Sequence, residues 1–402
     1  MFMLLFLSAC GSGGSGDPAT KLTPERLTFS GAGNLGIFDP SISRDPATDR
    51  LWMSYSSVNT SPNYASSLYW GVSIRLAYSD DSGISWLDAG AAVSTAVERA
   101  DDLGPMTAMG HPTGTVPAGS KGIWQSETSS LIFDPSAPSG EEWKLIWHQY
   151  LHANATSLFA DYAWVAMKMA STPLGLASAT PVKLFAGIGL QAQNSITGSP
   201  VFSPTSGVPA IQLNADITQT AGANLAELNT CIFAEPGLYA TNSAVYLTTF
   251  CADASTDPIT EYQVSFRCTS PCNITEAASW EYLGRLLTPA DALAATDDQH
   301  FQATAPVENN GKTYLLVTPV DTSVGNRYNG CRLYEFTDID TYQLRRNAGQ
   351  LVEVARIDGV AGTHNGACTA YSGLDGGILF SQFEPTSTAE TFNIYKSQVD
   401  LP

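Results

Sequence analysis

The chain has 402 residues, with 34 glycines, 23 prolines, 44% hydrophobic and only 14% charged side chains. That is the composition of a turn-rich globular protein and excludes a disordered one. Its 38 acidic against 19 basic side chains give a formal charge of −19, which repels phosphate backbones and anionic headgroups and sets nucleic acid and membrane-surface partners aside.

The chain opens with MFMLLFLSAC, an apolar run too short to span a bilayer. Its ending, Leu7-Ser8-Ala9-Cys10, resembles a bacterial lipobox, which implies lipidation at Cys10; a truncated ordinary signal peptide is the competing reading. GSGGSGDPAT follows as a flexible tether. The expectation is a signal segment over 1–10, a tether over 11–20 and one domain over 21–402, exported and held to the cell envelope only through its lipid.

From there the chain repeats a strand triplet. The first copy is LGIFDP, LWMSYSS and VSIRLAYSDDSGISW; the second is SSLIFDP, WKLIWHQYL and YAWVAMKMASTP. TCIFAEP, AVYLTTF and YQVSFRCTSP make the third, and DDQHFQATAPV, KTYLLVTPV and CRLYEFTDID the fourth. GTHNGACTAY, GGILFSQFE and TFNIYKSQV make the fifth. Short antiparallel units that cannot bury their own faces predict an all-β, five-bladed β-propeller, with RLTFSGAGN near the N-terminus closing the ring as an outer strand. Paired β-sandwiches are the alternative. The first member of each triplet ends near an acidic or histidine marker: Asp39, Asp134, Glu235, His300 and His364. In a propeller such positions converge on one axial mouth, so Asp39, Asp134 and Glu235 are expected to share a pocket.

Ser79-Asp80-Asp81-Ser82-Gly83-Ile84-Ser85-Trp86 fits the Asp-box pattern and resembles the repeats of sialidases and other propellers. Its job is structural, with Asp81 capping turn N–H groups and Trp86 packing beneath the hairpin. With Cys10 set aside, six cysteines remain, an even number that suits disulfides in an exported chain. Local geometry pairs Cys231 with Cys251 across a hairpin and Cys268 with Cys272 around a proline turn, leaving Cys331 with Cys368; a zinc site is the weaker competitor. His148 is a candidate pocket hydrogen-bonder or core residue. Trp52, Trp124 and neighbouring aromatics are candidates for a sugar-stacking platform. No phosphate loop, nucleophile elbow or zinc helix is present.

The motifs FDPSI at 38–42, FDP at 133–135, AEPGLY at 234–239 and GTHNGA at 362–367 resemble, in that order, the family 43 glycoside hydrolases and their five-bladed relatives. The resemblance implies a general base at Asp39, an orienting carboxylate at Asp134 and a general acid at Glu235. It also implies that His364 sits by an axial metal ion or water cluster, and His300 occupies an equivalent marker position. No cofactor is required, though an axial calcium ion would be held mainly by water and carbonyls. The expected function is hydrolysis of a glycosidic bond in an oligo- or polysaccharide by a monomer. A sialidase-like hydrolase drawing on arginines such as Arg44, Arg75, Arg267 and Arg327 is one alternative. A non-catalytic glycan- or protein-binding propeller is the other.

Overall fold

The computed structural model describes residues 23–30, 33–60, 70–93, 106–107, 115–116, 122–153, 157–185, 217–253, 255–256, 259–296, 298–321, 327–360, 363–385 and 390–402. Blade 1 comprises Gly36–Arg44, Leu51–Thr60, Trp70–Ser79 and Leu87–Val93. Blade 2 comprises Gly122–Phe133, Trp143–Ala153, Ser157–Ala170 and Val182–Phe185. Cys231–Ala240, Ala244–Asp253, Thr260–Thr269 and Trp280–Leu287 make blade 3. Blade 4 holds His300–Asn309, Lys312–Asp321, Gly330–Asp338 and Glu353–Asp358. In blade 5, His364–Thr369, Leu379–Pro385 and Glu390–Lys396 are completed by Glu25–Arg26, with Glu25 opposite Lys396.

The first strands of the blades touch one another in cyclic order, the fifth returning to the first. They are therefore the inner wall of a closed five-bladed propeller. The N-terminal segment supplies the closing outer strand, at Glu25–Arg26 with the Leu27 N–H on the Ile394 carbonyl, so that only the start of the expected 26–34 stretch takes part. The strand triplets read from sequence coincide with the first three strands of each blade.

Apolar faces pack blade against blade. Ile146, Val165 and Met167 of blade 2 form one cluster with Phe233, Leu247 and Val264 of blade 3. Tyr246 of blade 3 joins Leu315, Val317 and Tyr334 of blade 4. The helix Pro289–Thr296 links these two blades. Thr288 Oγ1 accepts the Asp291 N–H while Asp291 Oδ2 accepts the Thr288 N–H, a reciprocal cap on its first turn.

In the turn of residues 79–86, Asp81 Oδ1 accepts the Ser85 N–H at 2.9 Å and Ser79 Oγ the Gly83 N–H at 2.8 Å. Gly83 sits at φ +91° and Trp86 is buried.

All five inner strands share one irregularity. In each, two residues face a single residue of the second strand: Asp39-Pro40, Thr128-Ser129, Glu235-Pro236, Ala303-Thr304 and Ala367-Cys368. The first of each pair is left-handed, with φ of 51°, 49°, 49°, 47° and 48° in that order. Such bulges bend the strand, re-aim a side chain and leave an N–H out of the ladder. Left-handed backbone is uncommon outside glycine, and most uncommon for a β-branched residue such as Thr128. Its fivefold recurrence makes it a building rule of this ring.

The disulfides are Cys231–Cys251, Cys268–Cys272 and Cys331–Cys368, the pairing expected from sequence. Cys331–Cys368 ties blade 4 to the bulge of blade 5 and spans 37 residues of chain, against 20 and 4 for the others. A cross-link restricts the unfolded chain more as the loop lengthens. Replacing Cys331 and Cys368 together by serine should therefore cost the most, about 2–5 kcal/mol. Removing Cys268–Cys272 should cost the least, and chemical denaturation of the three double variants checks the order.

Candidate functional site

The bulges bring Asp39 and Glu235 to the axis as expected, but the third carboxylate is Glu127, not Asp134. Burial holds the Asp39 carboxyl well above its ordinary value, and the negative charges of Glu127 and Glu235 push it further. Asp39 is buried, its Oδ2 accepting hydrogen bonds from Thr128 Oγ1 at 3.1 Å and Ser56 Oγ at 3.3 Å. Ser56 Oγ in turn accepts the Thr128 N–H at 3.2 Å, which fixes its own hydrogen on Asp39. The other oxygen of Asp39, Oδ1, is buried with no partner.

Glu127 precedes the blade 2 bulge and pairs across the strand with His148. Burial and the charge of Glu235 raise it to about 7 against a hydrogen bond from Tyr150. Burial likewise raises Glu235 to about 7. The Ala303 N–H on its Oε2 at 2.6 Å, the Tyr328 hydroxyl on its Oε1 at 3.0 Å and the His300 ring oppose that rise, and Glu261 adds to it. Tyr150 and Tyr328 both feel all three carboxylates, and burial plus those charges hold both phenols protonated, as donors. His148 stacks on Tyr150 at 4.8 Å between ring centroids. Burial lowers it to about 3, so its imidazole is neutral, and its Nε2 has no partner.

Asp134 stands apart. It lies seven residues beyond Glu127, just past the strand end, about 20 Å along the strand direction. There it forms a buried ion pair with Lys144 at 2.9 Å and caps a turn through Ser136. Its Asp-Pro resembles the bulge of blade 1 in letters only. Glu127 was missed, although its segment WQSETSSLIF carried a signal: a polar run inside an inner strand.

Trp52 is also displaced from the site. It pairs with Ser43, four residues from the Ser56 level and so about 13 Å along its strand. It is buried against Tyr78, 5.5 Å between ring centroids. The side chains of Trp124 and Arg327, together with Cys10, lie outside the described residues. His300 and His364 begin the inner strands of blades 4 and 5. His300 does not suit a metal, because Nδ1 engages Glu261 at 2.8 Å and Nε2 lies 3.1 Å from Gln302 Nε2. His364 packs near the Phe383 ring, 6.2 Å between centroids. Among the described residues no three His, Cys, Asp or Glu side chains are grouped to hold a metal ion.

The described arginines named for a sialidase-like site are committed elsewhere: Arg44 to Asp49, Arg75 to Asp88 and Arg267 to Glu281. On the other side of the bulges, a cavity of about 540 Å3 is lined by Ser41, Ser130, Leu238, Ala305 and Thr369 among others, and by none of the three carboxyls. Its serines serve the seams, Ser41 Oγ accepting the Leu131 N–H and Ser130 Oγ the Leu238 N–H.

No family model and no curated protein sequence matches the chain. Solved structures do. An endo-arabinase from Bacteroides thetaiotaomicron is 13% identical at a TM-score of 0.44, covering 94% of this chain and 95% of its own. A thermostable family-43 glycoside hydrolase is 12% identical at 0.43, covering 91% and 92%. A family 117 glycoside hydrolase from the marine bacterium Zobellia galactanivorans is 11% identical at 0.45, covering 94% and 92%. A likeness this distant says nothing of what this chain does, and the five-bladed fold stands on its own strand pairing.

The raised carboxyls carry a pH signature. Folded Glu127 and Glu235 hold protons up to about 7 that an unfolded chain releases near 4.5. Their contribution to stability is therefore complete below the unfolded value and is lost as pH rises through about 7. Glu127→Gln should raise the melting temperature at pH 8 and change it little at pH 5. Calorimetry at both pH values checks this, and an equal effect at both would contradict it.

Proposed function

We propose that this chain is a glycosidase whose working groups are Asp39, Glu127 and Glu235. The observation that carries the reading is three crowded carboxyls, all raised by burial, beside a buried Asp39 oxygen with no partner. Cleaving an acetal needs one carboxyl that keeps its proton near neutral pH and another that is ionised, and crowding carboxylates drives their titrations apart.

Asp39 is the acceptor: burial and its neighbours' charges favour its acid form, but the two hydroxyls on Oδ2 donate to the carboxylate and make it the member of the coupled set that ionises. Its Oδ2 is held by two hydroxyls, and Oδ1 is left to take a proton from the attacking water. Glu235 is the donor, giving its proton to the leaving oxygen as the bond from the anomeric carbon to that oxygen breaks. The products are a free sugar and an alcohol, with the water proton left on Asp39. Glu127 is the third carboxyl: whenever it is ionised its charge raises Asp39, so the set as a whole holds on to a proton. The three titrate as one coupled set. Protonated Tyr150 and Tyr328 do not suit the phenolate nucleophile of a sialidase.

The substrate class is an oligo- or polysaccharide. Three disulfides suit an exported protein. Export through the segment ending at Cys10, with anchoring by its lipid, completes the reading.

A panel of aryl-glycosides tests it. Asp39→Asn and Glu235→Gln should each lower kcat by about 10²–10⁴, and Asp134→Asn should leave it within a small factor. For Glu235→Gln the loss should shrink on aryl leaving groups that need no protonation. Wild-type protein inert towards every glycoside yet binding glycans would favour a non-catalytic propeller instead.

A further inference from the structure

Each bulge takes a backbone N–H out of the ladder, and where that group is buried it must find an acceptor. Three of the five seams solve this in the same way. Asp39 donates its N–H to Ser381 Oγ of blade 5 at 2.8 Å, Thr128 to Ser56 Oγ of blade 1 at 3.2 Å, and Ala367 to Thr318 Oγ1 of blade 4 at 2.7 Å. The acceptor occupies one register position throughout, opposite the residue that precedes its own blade's bulge. Ser56 faces Phe38, Thr318 faces Gln302 and Ser381 faces Gly366.

By the same register that position belongs to His148 in blade 2, opposite Glu127, and to Phe250 in blade 3, opposite Ala234. Phe250 has no acceptor to offer. Its ring is buried, 5.8 Å from the His300 ring between centroids. The N–H it would have received, that of the blade 4 bulge residue Ala303, goes instead to Glu235 Oε2 at 2.6 Å.

We propose that Phe250 is a positioning residue: by withholding the hydroxyl that latches the other seams, it leaves the Ala303 amide as a fixed donor to Glu235. A backbone N–H donates whatever the protonation state, so Oε2 must stay an acceptor and the Glu235 proton is confined to Oε1. There the Tyr328 hydroxyl, 3.0 Å away, can turn from donor to acceptor as the proton comes and goes. The seam thus selects which oxygen of Glu235 delivers a proton. Its catalytic significance rests on the glycosidase reading; the hydrogen-bond arrangement does not.

The other groups that bear on Glu235 are His300, Glu261, Tyr328, Asp39, Glu127 and Tyr150. A substitution at Phe250 replaces none of them; it does remove the ring beside His300, an effect that Phe250→Leu and Phe250→Thr share. Phe250→Thr restores the latch hydroxyl and should draw the Ala303 N–H away from Glu235. The carboxylate then loses a donor to its ionised form, so its titration should move upward from about 7, by roughly one pH unit. The readout is the carboxyl carbon of Glu235 in protein labelled at glutamate, with Glu235→Gln for assignment. Phe250→Leu offers no hydroxyl and should leave that titration in place.

An unchanged titration in folded Phe250→Thr overturns the proposal, and so does an equal shift in Phe250→Leu. If Phe250→Thr does not fold, the wild-type protein decides. Its Ala303 amide proton should move in step with the Glu235 titration, and indifference overturns the idea. None of these measurements uses a substrate, so a chain that hydrolyses nothing would sink the glycosidase reading and leave this one standing.

Discussion

The constraint on which the rest depends is the backbone N–H that an inner-strand bulge takes out of the sheet ladder. A closed ring of twisted sheets gives its inner strands little room, and a left-handed residue bends each one at the same level. The bend turns Asp39 and Glu235 towards the axis and at the same time creates a donor that must be satisfied. Serine and threonine hydroxyls of the preceding blade answer that need at three seams, so the contact that closes the ring also sets the site. Ser56 shows the economy of the arrangement. It accepts from the blade 2 bulge and donates to Asp39, joining blade 1, blade 2 and a carboxylate through one oxygen.

Electrostatics does the rest by omission. Basic side chains such as Lys144, Arg285 and Lys396 are paired with Asp134, Glu227 and Asp375, away from the axis. Three acids are thereby left together with phenols, hydroxyls and two histidines, of which His148 is neutral. Low polarity and like charge both favour carboxylic acid over carboxylate, so protons are retained near neutrality. The same crowding opposes the folded state once those protons leave, a local cost that the blade-to-blade cores and disulfides offset.

Much of this was legible in the sequence. The strand triplets, the N-terminal closing strand, the five-bladed ring and the cysteine pairing follow from periodicity and spacing, because they depend on local patterns the chain repeats. Asp39 and Glu235 were legible because proline follows each, and proline suits the second bulge position, where no N–H is demanded. Blade 2 carries Thr128-Ser129 there, so the lettering failed and Asp134-Pro135, a turn six residues later, took its place. Glu127 shows in the sequence only as one acid in a polar run, and what places it beside the bulge is its register with His148, which no short motif encodes. Trp52 misled in another way: an aromatic on a second strand points to a platform only when its level along the strand is known.

The most direct test of a shared proton store is an infrared count of protonated carboxyl groups at pH 6, comparing wild type with the triple variant Asp39→Asn, Glu127→Gln, Glu235→Gln. The account predicts a carboxylic-acid carbonyl band in the wild type that the variant lacks. Identical spectra, with every carboxyl already ionised at pH 6, would contradict it.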